Sequence, residues 1–133
     1  GNAGTGGNVA GGDVILTGGT GTGTGVAGTI NFGSPMVISQ TAQALNGPGA
    51  VNVTAFDTAI TTTGADALTL ADGQSGQLKY IYMVVDGGDG TLTPTNLAGT
   101  PTTITFNDVG DSVLLLFRSS TWFVISNNGC IIA

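Results

Sequence analysis

A chain of 133 residues has room for one domain with its own core, and this one carries 24 glycines, only 8% charged residues and a net charge of −6. Its two cations, Lys79 and Arg118, cannot form the clusters that neutralise phosphate backbones or anionic lipid, which excludes nucleic acid and membrane surfaces as partners. With no His, no Glu and a single cysteine, Cys130, it has no Ser–His or Cys–His pair, zinc set or disulfide framework, so it reads as a non-enzyme that needs no cofactor or metal.

The composition changes near Ser34, dividing the chain into a glycine-rich segment, 1–34, and a β domain, 35–133. In the first part, paired glycines at 6–7, 11–12 and 18–19 separate fragments too short for helices. DVILT (13–17) and GTINF (28–32) are the strand candidates there. The spacing GTGTGTG and the lack of proline rule out collagen, and no lysine or helix follows to make it a phosphate loop. Such a segment has few large side chains to offset the entropy cost of ordering glycine, so it needs bracing by partners. Val14, Ile15, Leu16, Ile30 and Phe32 are unlike a flexible linker and point to intertwined copies of the chain, three around one axis.

From Pro35 the signals are those of an all-β fold, a sandwich of jelly-roll type or a barrel. MVISQT (36–41), AVNVTA (50–55), TAITTT (58–63) and ALTLA (67–71) are short, rich in Val, Ile and Thr, and bounded by turn residues. A single helical turn is expected over TAQALN (41–46), ended by Asn46-Gly47-Pro48. QLKYIYMVVD (77–86) puts Leu78, Tyr80, Tyr82 and Val84 on one face and Ile81, Met83 and Val85 on the other, the pattern of a central strand. GTLTP (90–94) and TTITFN (102–107) alternate as strands with one wet face do. SVLLLFR (112–118) and TWFVISN (121–127) form a tight hairpin about Ser119 and Ser120, with Leu114, Leu116, Phe117, Trp122, Val124 and Ile125 supplying the densest apolar packing.

Nearly all of the eight aspartates lie beside Gly, Thr or Asn in expected turns. Asp86-Gly-Gly-Asp89 and Asn107-Asp108-Val-Gly-Asp111 invite a calcium reading, but neither has the spacing of an EF-hand or its bidentate Glu, and Asx-turn chemistry accounts for both. Cys130, next to Ile131 and Ile132, reads as a small apolar residue, with an intermolecular bridge as the other option. A sugar platform needs an exposed aromatic, whereas Trp122, Tyr80 and Tyr82 all lie in apolar strands and are assigned to the core. A solenoid needs a sustained repeat, and none runs past residue 35.

Residues 61–129 resemble a module of bacteriophage virion proteins, especially head-decoration and fibre proteins of marine and freshwater phages, through TTTGADALTLADGQSGQLKYIYMVVDGGDGTLTPTNL, TTITFNDVGDSVLLLF and TWFVISNNG. GGDVILTGGTGTGTG is similar in style to their glycine-rich trimeric shafts, although RSST stands where an Asn/Gly/Lys turn is expected. The resemblance implies a virion location and a homotrimer held by residues 1–33, with the major capsid protein or other virion proteins as partners. A receptor- or glycan-binding fibre tip is the alternative.

Overall fold

The computed structural model describes residues 15–38 and 41–133. The chain divides into two units, Gly1–Met36 and Val37–Ala133. In the first, the described residues form no strand or helix. A turn closes where Gly25 N donates to Thr22 O at 3.0 Å, and Gly28 N donates to Gly19 O at 2.7 Å. Any Cβ at Gly18 would lie 1.9 Å from Gly28 O, so only glycine lets these two backbones pass. The strand expected over 28–32 is therefore absent, as is that over 15–17, while residues 13 and 14 of that candidate lie outside the described residues. Met36–Ile38 form no strand either, and 39–40 of that candidate are likewise outside.

The second unit is all-β, with ten strands: β1 Gln43–Asn46, β2 Gly49–Val51, β3 Asp57–Thr61, β4 Asp66–Leu70, β5 Leu78–Val85, β6 Gly90–Pro94, β7 Ile104–Phe106, β8 Ser112–Arg118, β9 Thr121–Asn128 and β10 Ile131–Ile132. They build two five-stranded sheets, sheet I in the order β1-β3-β5-β8-β9 and sheet II in the order β10-β7-β6-β4-β2. Up to β6 each strand lies in the opposite sheet from the one before, and stacked strands run parallel: β1, β3 and β5 in sheet I, β2, β4 and β6 in sheet II. The chain thus rolls through three rungs without any sequence repeat. From β7 on every pair is antiparallel, β7 on β6, β8 on β5, β9 on β8 and β10 on β7.

Period-two alternation places one side chain in two between the sheets. Val51, Leu68, Leu70 and Leu92 meet Ile60, Ile81, Met83, Val113 and Leu115 there, with Ile104, Phe106, Phe117 and Trp122 completing the core. In β8 the inward residues are Val113, Leu115 and Phe117, so Leu114 and Leu116 belong to the opposite face and are only half-buried. Ile125 is exposed beside the bulge between Leu114 and Leu115.

The helical turn expected at 41–46 is strand β1 instead. Gln43 explains the switch: its Oε1 accepts from Asn52 N at 2.8 Å and Thr58 Oγ1 at 2.9 Å, while Nε2 donates to Ala50 O at 2.9 Å. One side chain ties β1 to both neighbouring arcs, and pairing with β3 overrides the local helix preference of Ala, Gln and Leu. AVNVTA keeps its strand only to Val51, because Asn52 Oδ1 accepts from Ala55 N at 2.9 Å and turns the chain.

Candidate interaction surface

The outer surfaces of the two sheets differ in kind. On sheet II, Ala50, Thr69 and Thr93 lie in one row across the strands and Ala67, Thr91, Thr105 and Ile131 in another, methyl and hydroxyl groups up to the β10 edge, where Ile131 is exposed. On sheet I the corresponding rows are Leu78, Leu116 and Phe123, then Asp57, Tyr80, Leu114 and Ser126, then Ala59, Tyr82, Ser112 and Asn128. Leu78, Val84 and Phe123 are 40%, 43% and 41% exposed.

The Tyr80 and Tyr82 rings stack with centroids 5.4 Å apart and planes 25° apart. Successive outward positions on one strand bring them together. Tyr82 Oη donates to Asp57 Oδ2 at 3.3 Å. Loss of hydration, then the Asp57 charge and this hydrogen bond, push the Tyr82 phenol above its usual range. The two tyrosines are half-buried on the outer face and do not belong to the core, a correction to the assignment from sequence. A strand apolar on both sides does not reveal which side is covered. Val85, assigned to the inner face, is exposed because the pairing shifts between Ile60 and Thr61.

Inside the sandwich, Trp122 is fully buried. Its Nε1 donates to Ala71 O at 3.0 Å, and its ring meets Phe117 at 4.9 Å between centroids. Gly73 lies against the indole, where a Cβ would come within 2.9 Å of the ring. Lys79 is the inward residue that sequence reading passed over. Its Nζ donates to Ala55 O at 2.8 Å, and burial lowers its pKa to about 8 although the Asp57 charge works the other way. The signal was there: position 79 shares the inward parity of Ile81 and Met83.

No protein-family model, curated protein or solved structure matches this chain.

The aspartate loops spend their carboxylates on their own backbone. Asp86 Oδ1 accepts from Gly88 N at 2.8 Å, and Asp111 Oδ2 accepts from Asn107 N at 2.9 Å and Asp108 N at 3.1 Å. Among the described residues no three His, Cys, Asp or Glu side chains cluster to hold a metal. An open groove of about 620 Å³ runs beside Val53, Asp72, Gln74 and Gln77. Its Asp72 and Gln77 side chains are engaged: both Asp72 oxygens accept from Asn96 Nδ2, Gln77 Oε1 accepts from Gln74 N, and Gln77 Nε2 donates to Val53 O. Cys130 is buried, and loss of hydration together with the Asp111 charge pushes its thiol up to about 12. A thiol so placed is a poor nucleophile for an intermolecular bridge.

Proposed function

We propose that this chain is a structural, non-catalytic subunit of a bacteriophage virion, a homotrimeric capsid decoration or fibre protein that docks onto the major capsid protein or other virion proteins through its glycine-rich segment. The observation that carries the assembly part is the apolar surface it leaves uncovered. In the glycine-rich unit Ile15 is 82% exposed and Val26 91%, with Leu16 and Phe32 also exposed, and none of the described residues of the unit shields them. Apolar side chains spread along a glycine-rich backbone gain from association and little from standing alone. The virion setting rests on the resemblance of residues 61–129.

Quantitative mass spectrometry of intact virions, isolated capsids and isolated tails tests the reading. The chain is expected in one of the purified parts at a fixed ratio to its main protein, and its absence from all three sinks the proposal. A glycan-binding tip is the second reading, favoured by one observation, the stacked Tyr80–Tyr82 pair with the Asp57 carboxylate at its rim. Binding on a glycan array that disappears in Tyr80→Ala would establish it.

A further inference from the structure

We infer that the outer face of sheet I is a contact between copies of this chain, covered in the assembled protein by a second copy. The inference rests on the self-assembly proposed above and adds a second contact surface to the glycine-rich segment.

Three observations lead to it. The first is the difference between the two outer faces. Apart from Ile131 at its β10 edge, sheet II ends in Ala and in Thr, whose hydroxyls water serves well, while the central strands of sheet I carry Leu78, Tyr80, Tyr82, Leu114, Leu116 and Phe123. Aromatic and large apolar side chains with one carboxylate, Asp57, in their rows come close to the charge-poor composition of an interface centre.

The second is charge. Asp57 is the one ionised group in these rows, and its carboxylate accepts from Tyr82. Lys79 of the same strand points the other way, into the core, and Arg118 leans on Ser75 at the hairpin end. A partner with an acidic surface would find no cation in these rows to pair with. A copy carrying −6 can approach this face because the acidic loops lie outside its rows.

The third is size. β5 contributes eight residues. At ~3.3 Å per residue along it and ~4.8 Å between neighbouring strands, the four-strand width gives a flat footprint on the order of 500 Å². Side-chain relief raises the accessible area towards the ~800 Å² per partner of stable complexes. A glycan would need hydroxyl partners here, and the Leu78–Leu116–Phe123 row supplies none.

The test uses the full chain. Leu116→Lys places a charge at the middle of the apolar row, and Thr69→Lys makes the same change on the outer face of sheet II. Native mass spectrometry and sedimentation velocity should show the parent and Thr69→Lys as the same oligomer, with half-dissociation of Leu116→Lys at a concentration at least tenfold higher. Circular dichroism must show the parent's β spectrum in Leu116→Lys; should that variant fail to fold, Phe123→Ser, at an exposed position, decides in its place. A parent oligomer that survives Leu116→Lys and Phe123→Ser unchanged overturns this inference and leaves the self-assembly reading standing. A monomeric parent overturns both. Loss of glycan binding in Tyr80→Ala with unchanged association also overturns it, in favour of a sugar platform.

Discussion

The rolled half of the β unit, β1–β6, and the antiparallel half, β7–β10, share one core yet close it by different routes. In the antiparallel half the hairpin β8–β9 pairs Phe117 with Trp122 across a two-residue turn, so neighbours in space are neighbours in sequence. In the rolled half Gln43 lies beside Thr58 and Asp57 beside Tyr80, and each strand's sequence neighbour sits in the other sheet. A local link makes a strand pair readable, whereas stacking across long arcs leaves its trace mainly in burial.

The sharpest way to break the comparison is Trp122→Ala, because the indole belongs to the hairpin but its Nε1 is held by Ala71 of the rolled half. Emptying a fully buried Trp site costs ~3–5 kcal/mol, comparable with the whole stability of a domain this size. The expected melt is one collapsed transition for both halves. If β1–β6 kept a cooperative melt of their own, the two halves would be independent.

Lys79 gives the next effect, at most about 3 kcal/mol from a pKa lowered from 10.5 to about 8. The folded pKa is below the unfolded one, so the unfolded chain binds more protons between these values and stability must rise with pH across that window. Below about pH 8 the burial cost is present in full. Cys130 acts in the opposite sense, since its thiol, raised from 9.0 to about 12, loses stability as pH climbs above 9. Denaturant titrations should therefore show stability rising from pH 8 to 9, and in a Cys130→Ala background rising further towards pH 10, beyond which the raised Tyr82 phenol opposes it. Lys79→Met should flatten the rise from pH 8 to 9, and a slope that persists in that variant would mean another group is responsible.

Gly88→Ala tests the rolled half alone. At φ +143°, with Gly64 backbone carbon 2.6 Å from the position a Cβ would take, it should cost about 1–3 kcal/mol by thermal melt. The hairpin offers the reverse change. Ser119 and Ser120 adopt φ of 51° and 59°, the left-handed pair of a type I′ turn, so replacing them with Asn-Gly should stabilise the chain by about 1 kcal/mol. Smallest of all is the response to EDTA: with Asp86 and Asp111 bonded to backbone amides, the melting midpoint should stay put, and a drop restored by calcium would refute the turn reading.

What could be read beforehand follows the same division. ALTLA, GTLTP and the 112–127 hairpin fall where strands β4, β6, β8 and β9 lie, because alternation and turn residues are local signals. Trp122 as a core residue was legible too. The parallel stacking was not, since the arcs between stacked strands differ in length: the register runs from 43 to 58 in one rung and from 57 to 80 in the next, which hides any repeat. The candidate surface was half legible. QLKYIYMVVD shows two apolar faces, but which faces outward depends on sheet II lying against the other, a fact of pairing and not of the strand itself. The inward parity of SVLLLF was hidden for the same reason.

The tie between Trp122 and Ala71 also has a bearing on time. During synthesis the rungs β1–β6 emerge first, and the indole whose Nε1 reaches back to Ala71 is made only with β9. Long-range pairing closes slowly in any case. The core that Leu68, Leu70, Ile81 and Met83 share with Trp122 therefore cannot be completed before β9 has been made.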